Sequence, residues 1–155
     1  MRSNSTKTIL TAGIAAAFLD IIGAIIVYAA ILNVTTAQKV LQSVAAGALG
    51  NKAYQGGWPT AMTGLVCHFF IAICFAAFYY FIHSYWTKIF SNKWVAGLVY
   101  GCFVWAVMNL LVLPLATGKT FTFNPQLFSY GIGLIIFLVG VPVSVITHEM
   151  KKQAT

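Results

Sequence analysis

Charged side chains are scarce in this sequence. Only 7% of its 155 residues are Asp, Glu, Lys or Arg, and just two of these, Asp20 and Glu149, are acidic. A water-soluble domain carries about 25% charged residues, so this chain could not cover a water-facing surface of its size. Hydrophobic residues make up 60% of the sequence. These proportions exclude an ordinary soluble protein and indicate that lipid surrounds most of the molecule.

The motifs of common hydrolases and metal sites are also missing. The sequence contains no His-Glu-x-x-His, no Gly-x-Ser-x-Gly and no Cys-x-x-Cys. Its three cysteines lie within apolar runs, where cysteine usually serves as a small packing residue. We therefore expect no catalytic residue, no metal site and no cofactor, and we do not expect an enzyme.

Basic residues are present, but their placement does not predict a nucleic-acid surface. They give a net charge of +7, lie outside or at the ends of the apolar runs, and form no basic run interleaved with aromatic residues. With the N-terminus inside, the positive-inside rule assigns most of them to the cytoplasmic side, so we predict that both termini are cytoplasmic. The cytoplasmic set is Arg2, Lys7, Lys88, Lys93, Lys151 and Lys152, and the opposite set is Lys39, Lys52 and Lys119.

Four long apolar segments predict transmembrane helices, at about 8–32, 59–86, 94–117 and 126–148. The stretch from Pro59 to Ile82 contains no Asp, Glu, Lys or Arg. At about 1.5 Å of rise per residue it can cross the roughly 30 Å core of a bilayer. The expected fold is all-α: one transmembrane domain over residues 1–155, built as a four-helix bundle.

A shorter segment, 37–49, has apolar residues at helical spacing and is too short and too polar to span a membrane. Thr36 precedes it as a candidate N-cap. We expect a short helix between the first two spans, either amphipathic at the interface or re-entrant among the other helices. A polar loop is expected at 118–125, and Pro142 is expected to kink the last span.

Glycines and aromatic residues suggest where the helices pack and where the membrane surface lies. Small residues let helices approach closely, and internal packing is favoured over dimerisation. Aromatic rings near one end of the bundle predict an interfacial belt on the cytoplasmic side. The packing glycines are Gly13, Gly23, Gly64, Gly97 and Gly101, with Gly64 leaving a gap on the face that carries His68. The belt residues are Tyr79, Tyr80, Tyr85, Trp86 and Trp94.

Three polar residues within the predicted spans indicate a candidate site. Asp20 is the only acid inside a span, and a carboxylate there is costly unless it is protonated, paired or hydrated. Counted from the outer helix ends at about 1.5 Å per residue, Asp20, His68 and Asn109 lie roughly 18, 13 and 12 Å deep. We therefore predict one polar cluster, which either holds a proton or ligand or acts as a structural hydrogen bond between helices.

Several stretches resemble a group of small four-helix bacterial inner-membrane proteins, the YagU-like proteins. The stretches are Val-Leu-Gln-Ser-Val-Ala-Ala-Gly at 40–47, Gln-Gly-Gly-Trp-Pro-Thr-Ala at 55–61, Gly-Leu-Val-Cys-His-Phe at 64–69 and Met-Asn-Leu-Leu-Val-Leu-Pro-Leu at 108–115. The resemblance covers most of the chain and implies an inner-membrane location. It carries no settled biochemistry, and a link of the group to acid tolerance fits an Asp–His site only loosely.

Two functions remain open at this point. The first is a small channel or carrier subunit for protons, ions or a small molecule, with Asp20, His68 and Asn109 lining its site. Because a single four-helix bundle has little room for a pore, this function favours a homo-oligomer. The second is a non-catalytic module that binds lipid or a partner membrane protein through the 37–49 helix and the glycine faces. In both cases we expect the lipid bilayer to be a partner and nucleic acid not to be one.

Overall fold

The computed structural model describes residues 2–117 and 124–153, and within these ranges the chain is helical and contains no strand. Four of the described helices are long and apolar enough to cross a membrane, with mean hydropathy between 2.1 and 2.4. This confirms the predicted all-α fold with four membrane-spanning helices and a shorter helix. The protein is a multi-pass integral membrane protein. The expected loop at 118–125 lies mostly outside the described residues, as does Lys119.

The first three helices follow the predicted order. α1 covers Arg2–Ala24 and continues as a π-helical segment, Ile25–Ile31. α2 covers Ala37–Leu49 and is followed by a 3₁₀ turn, Gly50–Gln55. α3 covers Gly57–Ile89. α1 begins earlier than expected because no glycine or proline interrupts the polar residues before the apolar run.

The last two spans are each made of three consecutive helical segments. α4 comprises Lys93–Ala106, a π-helical segment Val107–Val112, and Leu113–Thr117. α5 comprises Pro125–Leu134, a π-helical segment Ile135–Gly140, and Val141–Gln153. α5 extends past the predicted end because Glu, Met, Lys and Gln, which follow the apolar run, are good helix formers.

Short polar side chains define where these helices begin and end. The Thr36 hydroxyl accepts from the backbone N–H of Lys39 at 3.3 Å, and so caps α2. Asn92 caps α4 and Asn124 caps α5 in the same way. After α1 the chain turns at Asn33, whose φ of 51° is a left-handed conformation that asparagine tolerates better than most residues.

Two of the π-helical segments end two residues before a proline. Proline has no backbone N–H, so the carbonyl four residues earlier loses its usual helical partner. For Pro114 that carbonyl belongs to Leu110, and for Pro142 to Leu138; both lie within π-helical segments. In a π-helical turn the backbone hydrogen bonds join residues five apart instead of four, so the pairing of backbone groups differs before each proline. Such turns occur often at functional sites.

The helices pack in a defined order around the bundle. α3 packs against α1 on one side and α2 on the other, α1 also packs against α5, and α5 packs against α4. α3 and α4 share few contacts despite being joined by a short loop. We call the end at which α1 begins, α5 ends and the α3–α4 loop lies the terminal end, and the other the α2 end.

Close helix contacts occur at each glycine predicted to pack. A Cβ at Gly13 would lie 2.8 Å from the Cα of Ile73 on α3. One at Gly97 would lie 2.7 Å from the Cα of Val141, and one at Gly101 would meet the backbone of Ile136, so α4 and α5 touch there backbone to backbone. Gly23 faces the flexible tips of leucine side chains on α5.

Gly64 is also at a close contact, but the expectation that it leaves a gap beside His68 is wrong. A Cβ at Gly64 would collide with the backbone carbonyl oxygen of Leu41. The space is therefore filled by α2, whose buried face includes Val40, Leu41 and Ala45. Gln42, also buried, donates from Nε2 to the carbonyl oxygen of Gly57 at 2.9 Å and joins α2 to the start of α3.

The predicted aromatic belt also needs one correction. Tyr85 and Trp94 are exposed, as expected for interfacial residues, but Tyr79 is only 1% exposed and belongs to the core. Its hydroxyl lies 2.6 Å from Ser144 Oγ, which itself donates to the carbonyl oxygen of Lys93. Because a serine hydroxyl has a single proton, Tyr79 is the donor in the first of these bonds.

Candidate functional site

Asp20 and His68 lie together inside the bundle, one on α1 and the other on α3. Asp20 Oδ2 is 3.8 Å from His68 Nε2, and the two side chains are 19% and 14% exposed. Helix periodicity explains the meeting, because the face of α1 that carries Asp20 also carries Ala16 and Ala17, which are fully buried. The carboxyl group therefore faces other helices of the bundle.

A second contact fixes the orientation of the imidazole. His68 Nε2 lies 3.1 Å from the carbonyl oxygen of Ala17. A carbonyl oxygen can only accept, so Nε2 carries a proton and the neutral ring keeps Nδ1 free of one. The imidazole is thus held with Nε2 at an ion-pair distance of 3.8 Å from the carboxyl group.

Asn109 lies on the wall of the same cavity but is not hydrogen-bonded into the pair. Its Nδ2 donates to the carbonyl oxygen of Trp105, one turn earlier on α4, at 3.0 Å. The structure thus brings Asp20 and His68 together and places Asn109 on the lining they share. The three-membered cluster as a unit stays a prediction.

The pair lies where two cavities join. The larger, about 510 Å³, extends from exposed polar residues at the α2 end, including Lys39, Ser43 and Asn124, down to Asp20 and His68. The smaller, about 220 Å³, continues toward the terminal end between apolar residues. Both cavities share the same polar junction, formed by Asp20, Tyr28, His68 and Asn109, together with Ala24 and Gly131.

Tyr28 is a lining residue that the sequence reading missed. It lies within the π-helical segment of α1, and Asn109 lies within that of α4. Ile135 and Val139, from the π-helical segment of α5, line the smaller cavity. Three irregular helical segments therefore meet at one cavity. The prolines were a visible signal for two of them, but no signal marked the segment that contains Tyr28.

Packed side chains close the smaller cavity toward the terminal end. Val104 and Val139 line the cavity and belong to a buried core that also contains Tyr79, Tyr100 and Val143. Tyr100 donates to the carbonyl oxygen of Phe75 at 2.7 Å, which satisfies its hydroxyl within this core. We call these five core residues the apolar layer. Among residues 2–117 and 124–153, the larger cavity thus reaches exposed residues at the α2 end, while the apolar layer blocks the base of the smaller cavity.

We also looked for clusters of metal-binding side chains and for similar known proteins. Among residues 2–117 and 124–153, no group of three or more His, Cys, Asp and Glu side chains is placed to hold a metal ion. No protein-family model, curated protein or solved structure matches the chain in comparisons with known proteins. The geometry of the cavity and its polar junction is therefore the basis for assigning a function.

Proposed function

We propose that the protein is a small proton- or small-molecule-responsive channel or carrier subunit of a bacterial inner membrane, with Asp20, His68 and Asn109 as its site. The observation that supports this most strongly is the Asp20–His68 pair at the junction of two cavities. Ionisable groups inside membrane proteins commonly mark ion or proton pathways, because their burial is costly. An acid and an imidazole within ion-pair distance can hold or pass a proton.

The blocked base of the pocket favours a carrier or a gated channel over an open pore. Transport would require the apolar layer to move so that the site reaches the terminal end. Such a change between two packings is the usual basis of alternating access. The resemblance to YagU-like proteins and the positive-inside count support the inner-membrane location with both termini cytoplasmic.

The alternative is a non-catalytic module that binds lipid or a partner membrane protein, in which the pair is structural. One contact favours it: His68 already donates to the carbonyl oxygen of Ala17 and so joins α1 to α3 without any ligand. In that case the exposed part of α2 and the bundle surface, rather than the cavity, would carry the function. The two proposals differ in whether flux depends on Asp20.

Proton flux in proteoliposomes distinguishes them. Vesicles containing a pH-sensitive dye would be tested with the wild type, Asp20→Asn, His68→Gln and the control Thr63→Val, since Thr63 is exposed on α3 and its hydroxyl bonds only its own helix. We expect flux in the wild type and control, and a loss of about 100-fold or more in Asp20→Asn, the scale on which a positioned proton-transfer group contributes. Wild-type flux equal to that of empty vesicles, with lipid or protein copurifying, would support the alternative.

A further inference from the structure

A second group of polar side chains lies at the terminal end, away from the cavity. His83 on α3 and Thr147 and His148 on α5 each bury a polar atom: His83 Nε2, Thr147 Oγ1 and His148 Nδ1. Thr147 is fully buried and His83 is 8% exposed. Within the described part of the chain, none of these three atoms has a hydrogen-bond partner.

These atoms come from two helices that face each other, and two of the atoms belong to neighbouring imidazole rings. The rings of His83 and His148 are 5.8 Å apart between centroids, with an angle of 50° between their planes. Thr147 immediately precedes His148 in α5. Buried polar groups in native proteins are nearly always hydrogen-bonded, to protein or to ordered water. A buried water typically has about three hydrogen-bond partners, which is the number of unsatisfied atoms on these three residues.

One of these three residues also borders the protein surface. His148 also lines an open depression of about 450 Å³, together with Lys93, Glu149 and Lys152. The same His148 ring also neighbours the more deeply buried ring of His83. His83 is six residues from the end of α3, which corresponds to roughly 9 Å along the helix and places it near the membrane–water interface.

The surrounding charges argue against a metal ion as the occupant. Lys93 is paired with Glu149, while Lys151 and Lys152 add positive charge on the same helix as His148. The acid nearest in sequence is thus already neutralised by a lysine. Two imidazoles and a hydroxyl offer fewer ligands than a structural zinc site requires.

We propose that His83, Thr147 and His148 form a hydrated site in which a bound water bridges the three unsatisfied atoms and exchanges with the surface depression. The site is separate from the Asp20–His68 pair and does not depend on the proposed function. It would give the bundle a second aqueous inlet, opposite the first. The apolar layer, with Tyr79 next to His83 on α3, would then separate two water-accessible regions.

Nuclear magnetic resonance of the full chain, labelled with ¹⁵N-histidine and held in lipid nanodiscs, tests the site. We expect a water–imidazole exchange peak at His83 in the wild type. Thr147→Val keeps the side-chain volume but removes one of the three partners, so this peak should be lost. Thr63→Val, the same replacement at an exposed position on α3, should leave it unchanged.

The wild-type spectrum decides the proposal even if Thr147→Val fails to fold. A His83 ring without water contact would overturn it. Stoichiometric metal in the purified protein, removed by His83→Gln, would also overturn it and identify a cation site instead. A peak that persists in a folded Thr147→Val variant would exclude the three-partner geometry.

Discussion

Gly64 provides a direct test of how α2 docks on the bundle. In Gly64→Ala the new methyl group would collide with the backbone carbonyl oxygen of Leu41, an obstacle that no change of rotamer can move. Gly133→Ala is the matched control, because a Cβ there meets no atom within 4 Å. Both positions are glycines inside membrane-spanning helices, so both variants gain the same intrinsic preference of alanine for the helix.

The two effects have different sizes. Replacing glycine by alanine in a helix interior favours the helix by about 1 kcal/mol. Overpacking a well-filled contact typically costs about 1–3 kcal/mol. We therefore expect Gly133→Ala to be neutral or slightly stabilising, and Gly64→Ala to have a free energy of unfolding lower than that of Gly133→Ala by about 1–3 kcal/mol.

Reversible denaturant unfolding in detergent micelles, followed by tryptophan fluorescence, measures this difference. Trp58 lies at the start of α3, close to the contact being disturbed, and so reports on it. Equal free energies of unfolding for the two variants would refute the packing of α2 over Gly64. The outer wall of the larger cavity, which α2 supplies through Lys39, Val40 and Ser43, would then need to be reassigned.

Two further predictions concern the polar joint of α2 and the orientation of the chain. Gln42→Met should lower the free energy of unfolding by about 1–3 kcal/mol, because it removes the buried donor that bonds the carbonyl oxygen of Gly57. Gln126→Met, the same replacement at an exposed position, is the control. Equal free energies of unfolding for the two variants would contradict the buried hydrogen bond. A single cysteine at Ser91, in the α3–α4 loop of a chain with its native cysteines replaced, should react with an impermeant thiol reagent only from the cytoplasmic side. Labelling from the opposite side would reverse the predicted topology.

The fold could be predicted from the sequence because membrane spans depend on length and apolar composition. The caps were also visible: Thr36 before 37–49 is a standard N-cap, and the structure places its hydroxyl on the N–H of Lys39. Helix ends were less accurate, since polar residues such as those before Thr8 continue a helix without any hydrophobic pattern.

The site was only partly accessible from the sequence. The depths of Asp20 and His68 in the membrane could be counted along their helices because the rise per residue is constant, and these depths correctly predicted that the two side chains lie close together. Depth says little about rotation, and so it did not show that Asn109 would bond to its own helix or that Leu41 would occupy the space beside Gly64. Tyr79 shows the same limit: it stands among interfacial aromatics in sequence but points into the core.

Whether the junction of the two cavities is wet is the question on which the proposed function depends. Ala24 lines both cavities, whereas Ile22, two residues earlier on α1, is 52% exposed on the outer surface of the helix. In a chain with its native cysteines replaced, Ala24→Cys and Ile22→Cys differ little in depth but face different surroundings. Thiols react with charged reagents as thiolates, which form in water and not in lipid. The account predicts labelling of Ala24→Cys and protection of Ile22→Cys; protection of Ala24→Cys would contradict it.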